Sequence, residues 1–339
     1  MGVEPIRLAI WGAGIFTRTA HIPSILALGD RYKIVAICSR TEASAKEAAA
    51  VVPYEVDILT DPDAMLARED IEAVDIVLPI ALLPDAVIKA LAAGKHVISE
   101  KPVAPTVAAG KELLQRAADY REYHWMVAEN YRYDPATVRA AELVRLEKQI
   151  GRPLVCDWSV YIDLGPQNPY YHTSWRRDES FPGGFVLDAG VHYIATLRYI
   201  LGEIDAVSAQ SAAFRPDLPP LDTLAATLHF TRGVVGSFLI TFSAGASWPM
   251  PLHIVGQRGT ITTQRNLLEY QRHGDQIHRL PLDERQGVEL EFEAFADTLR
   301  NGVPHRNSPV QALQDVAVIE AMLKSAATGQ RVAVERLVP

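Results

Sequence analysis

Ile6-Arg7-Leu8-Ala9-Ile10-Trp11-Gly12-Ala13-Gly14-Ile15-Phe16-Thr17 is the stretch that decides the fold. An apolar run of one strand's length ends at Gly12, a second glycine follows, and an apolar-periodic helix continues to Leu28. Strand, glycine turn and helix in that order open a dinucleotide-binding unit. Gly12 permits the tight turn and Gly14 lets the backbone approach a pyrophosphate. The helix start, at Ile15 and Phe16, offers N–H groups and a positive dipole end to that anion. Thr17 stands where the motif usually has its third glycine.

Strand-sized and helix-sized segments then alternate: Tyr32 to Ile37, Ala73 to Leu78, Pro84 to Ala93, His96 to Ser99, Val107 to Tyr120, Trp125 to Ala128 and Pro135 to Lys148. That is the pattern of right-handed crossovers around a doubly wound parallel sheet, so the chain reads as α/β with an N-terminal Rossmann domain over residues 1–150. In such a sheet the ligands lie beyond the carboxyl ends of the strands. Ser39-Arg40 ends the second strand, where an acid usually holds the adenosine ribose of NAD(H). With no acid there, Ser39 and Arg40 suit a 2′-phosphate, and NADP(H) is favoured while NAD(H) stays open. Alternatively Arg40 is merely solvated and Thr41 caps the next helix. Pro79 is expected to wall the nicotinamide side of the crevice, and Asn130 to reach cofactor or substrate from the edge after Ala128.

Ser99-Glu100-Lys101-Pro102 ends another strand, and Pro102 restricts Lys101 to extended backbone, which aims the lysine at the crevice. A surface lysine before a turn is the alternative. From Gly151 the pattern changes to longer runs with few helices: Leu154 to Ile162, Ala206 to Phe214, Leu224 to Phe230, Val234 to Ser243, Leu252 to Val255 and Thr260 to Thr263. These predict a second, α+β domain over residues 151–339 with a large, mainly antiparallel open sheet. Phe238, Ile240 and Phe242 fall on one strand face and Ser237, Leu239 and Thr241 on the other, so one side packs on helices. The other side is solvated or joins copies into a homodimer or homotetramer.

Pro182-Gly183-Gly184-Phe185-Val186-Leu187-Asp188-Ala189-Gly190-Val191-His192 interrupts those strands. Asp188 and His192 are four apart, hence on one helix face, and a carboxylate beside an imidazole is an acid/base pair. Trp175-Arg176-Arg177-Asp178 adds a flat aromatic and two guanidiniums suited to a nicotinamide, phosphates or polyol hydroxyls. Val288 to Asn301 and Pro309 to Thr328 are amphipathic helices that read as scaffold, packing across the sheet or back on the first domain.

Composition bounds the rest. The chain has 339 residues, 48% hydrophobic and 22% charged, enough for two cores. A net charge of -8 and the lack of basic runs argue against nucleic acid. No uninterrupted apolar stretch reaches membrane-span length. Two cysteines, Cys38 and Cys156, fit no disulfide framework or thiolate site, and the histidines lack metal-ligand spacing, so no metal is expected. The start, Met1-Gly2-Val3-Glu4-Pro5-Ile6, lacks the features of a signal peptide or myristoylation signal, which together with the cysteines points to the cytoplasm.

Gly12-Ala13-Gly14, Glu100-Lys101-Pro102 and Gly183-Gly184 with Asp188, Gly190 and His192 resemble the glucose-fructose oxidoreductase, inositol dehydrogenase and MocA family over nearly the whole chain. The resemblance implies an NAD(P)-dependent dehydrogenase or reductase acting on a sugar-like or cyclic polyol. In it Lys101 and His192 would be the catalytic lysine and histidine, with Asp188 beside them. Glu100 and Lys101 would contact the nicotinamide ribose, and Trp175 and Arg176 would approach the cofactor from the second domain. One segment departs: Leu78-Pro79-Ile80-Ala81-Leu82-Leu83-Pro84 lacks the polar groups that family members often carry there, so no member's substrate carries over. Three other readings are a cofactor-sensing regulator of the galactose-repressor type, glycoside cleavage through transient oxidation, and reduction of a non-sugar carbonyl, imine or dihydrodiol-like compound.

Overall fold

Leu8 and Ile10 on one face of β1 (Ile6–Trp11) and Ala9 on the other are excluded from solvent, as befits a strand covered on both faces. In the computed structural model, which describes residues 4–178, 181–246 and 248–338, this strand lies within a six-stranded parallel sheet. The targeting signals sought at Met1 to Val3 lie outside the described residues. After β1 come α1 (Ile22–Ala27), β2 (Tyr32–Cys38), α2 (Glu42–Ala49), β3 (Asp57–Leu59), α3 (Pro62–Leu66) and β4 (Ala73–Ile76). Then follow α4 (Leu83–Ala92), β5 (His96–Glu100), α5 (Val107–Ala117) and β6 (Trp125–Ala128). The order β3-β2-β1-β4-β5-β6, all parallel, is the dinucleotide-binding order.

Local details differ from the expectation. The helix after the glycine turn is not uniform, because Thr17–His21 form one π turn, with the Ile22 N–H bonded to Thr17 O, before α1 begins. β4 stops at Ile76 rather than Leu78, and the chain turns through Pro79 into a short 3-10 segment, Ile80–Leu82. β3 has three residues and no internal periodicity; its pairing with β2 makes it a strand.

The second part contains α6 (Pro135–Arg145), β7 (Pro153–Tyr161), α7 (Gly184–Leu201), β8 (Ile204–Ala212), β9 (Thr223–Phe230) and β10 (Val235–Thr241). β11 (Leu252–Gly256), β12 (Gly259–Gln264), β13 (Leu267–Arg272) and β14 (His278–Arg279) follow, then α8 (Gly287–Asn301), α9 (Pro309–Thr328) and β15 (Val332–Ala333). Nine strands form one sheet in the order β14-β13-β12-β11-β7-β10-β9-β8-β15, antiparallel except for the β7–β10 pair. Phe238, Ile240 and Phe242 are buried on the helix-covered face, where Phe185 and Tyr193 of α7 meet Phe242 and Phe238.

The chain divides into two units, Met1–Asn130 with Gln286–Leu313 and Tyr131–Arg285 with Gln314–Pro339. The division falls at Asn130, ahead of Gly151 where the strand pattern changes, because α6 packs on α7 within the second unit. α8 returns to the first unit and packs on α1 and β6, with Tyr32 donating its hydroxyl to Phe292 O at 2.6 Å. Among the described residues no helix is long and apolar enough to cross a membrane.

Candidate active site

In the first unit the sequence-predicted residues gather at the carboxyl ends of the parallel strands. Gly12 adopts a φ of 117°, and a Cβ there would sit 2.1 Å from Val77 O, so only glycine makes this turn. Its N–H donates to Cys38 O at 2.8 Å. Gly14 is different: a Cβ on it would meet nothing within 4 Å, so the missing side chain leaves open room beside the start of the helix at Ile15 and Phe16. That room, next to a helix N-terminus, fits a dinucleotide's pyrophosphate. Thr17 is buried and donates its hydroxyl to Gly12 O at 2.8 Å, which satisfies the turn without a third glycine.

At the end of β2 the Ser39 N–H donates to Leu59 O at 3.1 Å. Arg40 is exposed, and among the described residues its guanidinium makes no ion pair or hydrogen bond. Thr41 does cap α2, its Oγ1 accepting from the Ser44 N–H at 3.3 Å, and this cap leaves Arg40 open. Pro79, partly exposed, follows β4. Glu100 ends β5 and is 8% exposed, and half-buried Lys101 comes next, with a cis peptide to Pro102. Glu100 Oε2 accepts from the Lys101 N–H at 3.1 Å. Asn130, also buried, follows β6 in a segment anchored by Asn307, whose Nδ2 donates to Glu129 O at 2.9 Å.

The second unit gathers the rest. Gly184 has a φ of 47°, and a Cβ there would lie 2.9 Å from Pro220 Cδ and 3.0 Å from Pro219 O, so another stretch of backbone explains the glycine pair. Asp188 and His192 lie one turn apart on α7, as their spacing implies. Asp188 is buried, and its Oδ2 accepts from Arg176 Nε at 2.7 Å. The same guanidinium sits 4.1 Å over the Trp175 ring and 5.2 Å from the Tyr170 ring centroid, and donates to Thr173 Oγ1 at 3.1 Å. Arg176 is thus bonded to Asp188 and packed against two aromatic rings. His192 stacks flat on Tyr131, centroids 4.4 Å apart. Lys101 belongs to the first unit, and Asp188, His192, Trp175 and Arg176 to the second.

Sequence reasoning passed over Tyr131 and His21. Nothing local marks Tyr131 as the stacking partner of His192, 61 residues on. His21, wholly buried, lies between Asp75 and Glu100, carboxylates 54 and 79 residues away. A histidine on the buried face of the first helix was its only trace. Among the described residues no group of three or more His, Cys, Asp or Glu side chains could hold a metal ion.

A glycine turn with open room behind it, a dinucleotide-binding strand order and an acid–lysine pair ending β5 define a nicotinamide-dependent oxidoreductase. Residues 6–128 match the NAD-binding Rossmann fold model of an oxidoreductase family, and residues 145–334 match the model of that family's C-terminal alpha/beta domain. The chain belongs to this glucose-fructose oxidoreductase, inositol dehydrogenase and MocA family, and it is a dehydrogenase or reductase. It is 33% identical to a dehydrogenase, FPY6, of Fusarium mangiferae over 95% of this chain and 97% of that one. The crystal structure of an oxidoreductase from Thermotoga maritima superposes with a TM-score of 0.92 at 34% identity, covering 99% of this chain and 100% of that one. A levoglucosan dehydrogenase in complex with NADH gives 0.87 at 26% identity, covering 98% and 100%.

Proposed function

We propose that this enzyme moves a hydride between NADP(H) and a hydroxyl or carbonyl carbon of a sugar-like or cyclic polyol substrate. The observation that carries the reading is the Glu100–Lys101 corner at the end of β5, two strands from the glycine turn after β1 in the same sheet. Ser39 and Arg40 hold the 2′-phosphate, Gly12, Gly14, Ile15 and Phe16 the pyrophosphate, and Glu100 and Lys101 the nicotinamide ribose. Pro79, Asn130, Trp175 and Arg176 line the nicotinamide end. The bound nicotinamide supplies the hydride acceptor or donor. Lys101 and His192 are the acid/base groups: the substrate hydroxyl gives its proton to one of them, and the Lys101 ammonium stabilises the developing alkoxide. Asp188 supports them from α7, itself held by Arg176. In the reverse direction the same groups protonate the reduced carbonyl.

Likeness to a levoglucosan dehydrogenase supports a sugar-like substrate, and its NADH complex supports NAD(H) as the second cofactor reading. The open guanidinium of Arg40 favours NADP(H). Titration with NADPH and NADH, followed by nicotinamide fluorescence in wild type and Arg40→Ala, decides between them. NADPH binding that weakens selectively in the variant supports the phosphate role, and equal or NADH-favoured binding overturns it. Full turnover in Lys101→Met would remove the lysine from the chemistry. Val155, Val235 and Val255 lie side by side and exposed on neighbouring strands, which supports assembly of copies through the outer sheet face, measurable by light scattering.

A further inference from the structure

The first unit buries a set of ionisable side chains next to the corner that carries Lys101. His21 Nδ1 lies 2.8 Å from Asp75 Oδ2 on β4, and Nε2 lies 2.9 Å from Glu100 Oε1 on β5. With both carboxylates ionised their oxygens can only accept, both ring nitrogens then donate, and the ring is an imidazolium. The second oxygen of Glu100 accepts from the Lys101 backbone N–H. Glu100 is thus gripped at one oxygen by His21 and at the other by the peptide that begins the Lys101 corner.

We infer that His21 is a positioning residue: bonded on both ring nitrogens, it clamps Glu100 and through it sets the Lys101 corner against the cofactor. This rests on the proposed cofactor role of that corner. The π turn brings the residue into place, since one extra residue in a turn rotates everything before it about the helix axis, and such turns recur at functional sites. Apolar side chains would join the first helix to β4 and β5 at lower desolvation cost than an ion cluster, so stability alone does not account for these residues.

The surroundings agree with a charged ring. Burial drives the proton off His21, yet Asp75 and Glu100 together outweigh it and raise the ring's pKa well above the usual value. Burial also raises Asp75, whose Oδ1 has no partner among the described residues, while His21 opposes that rise. From α8 comes Glu291, both of whose oxygens are buried without a hydrogen bond among the described residues; burial raises its pKa well above that of an ordinary glutamate, against the pull of His21. Glu129, after β6, bears on Glu291, and the edges of Phe16 and Phe292 close the site around the ring.

The test uses the full chain labelled with 15N at histidine and free of cofactor. Long-range proton–nitrogen spectra from about pH 6 to about pH 9 are expected to show both His21 nitrogens protonated throughout. An unprotonated nitrogen in that range, as a proton on Asp75 would produce, overturns the clamp. Asp75→Asn, which keeps shape but removes one charge, is expected to bring the ring's titration into range, with the cofactor dissociation constant rising about tenfold at the same midpoint. An affinity indifferent to that titration also overturns it. His21→Gln is expected to weaken cofactor binding about tenfold in wild type and little further in Glu100→Gln, whereas additive losses would reduce His21 to packing. A wild type that binds neither NADPH nor NADH overturns the functional reading, and the spectra then judge the clamp separately.

Discussion

The ring of Tyr131 lies on the ring of His192, centroids 4.4 Å apart and planes inclined by 16°, while its edge meets Tyr193. The stack holds the imidazole's orientation by contact area, which Phe would preserve and Ala would not. Tyr131→Ala is expected to lower kcat/KM by about 3- to 10-fold, and Tyr131→Phe by less, matching the modest energy of an aromatic pair. Steady-state kinetics of the two variants check this, with circular dichroism confirming the fold.

Gly12 and Gly14 separate folding from binding. Gly12→Ala puts a methyl into Val77 O at a φ of 117°, so it is expected to cost about 2 kcal/mol or more of stability as well as cofactor affinity. Gly14→Ala meets no protein atom within 4 Å and is expected to melt like wild type while binding NADPH and NADH more weakly. Thermal melts beside fluorescence titrations distinguish the two. A Gly14→Ala protein with unaltered affinity would place the pyrophosphate elsewhere.

Asp315 holds two buried guanidiniums in the second unit. Arg132 Nη2 donates to both its oxygens, at 2.8 and 2.9 Å, and Arg198 Nη1 donates to Oδ1. Arg198 has a second anion, Glu203 Oε2, at 2.8 Å from its Nε. Asp315→Asn strips the charge shared by both guanidiniums and is expected to destabilise by about 3–5 kcal/mol in urea unfolding. Glu203→Gln, at the better-solvated end, is expected to cost less.

Glu291 makes a stability prediction with a definite sign. Its folded-state pKa is raised by burial, so the folded protein holds this proton more tightly than the unfolded chain. The resulting stability is fully present below the ordinary glutamate pKa and is lost as pH rises through the folded value. Glu291→Gln abolishes the titration. Between about pH 5 and about pH 8 the wild type is expected to lose melting temperature relative to the variant, and parallel profiles would refute the assignment.

Much of the site was legible because it is written in short spans. Gly12 to Phe16 form one turn, Glu100 and Lys101 are neighbours, and Asp188 and His192 are one helical turn apart. Glu291 was legible in principle, an acid on the apolar stripe of Val288, Phe292 and Phe295. The missed strands were not: β3, β14 and β15 are two or three residues long and exist through their pairing, and six-residue β13 is set by its hairpin pairing with β12. The resemblance implies that Arg176 approaches the cofactor, and only the fold shows its bond to Asp188.

By itself, then, the sequence determined what depends on neighbours along the chain: the glycine turn, the alternation that builds a parallel sheet, the acid–lysine corner and the shared helix face of Asp188 and His192. Tertiary structure alone decided which ionisable groups are buried and against what. His21 meets Asp75 across 54 residues and Glu100 across 79, and that encounter raises the ring's pKa. Desolvation and pairing depend on distance in space, and no local pattern carries that distance.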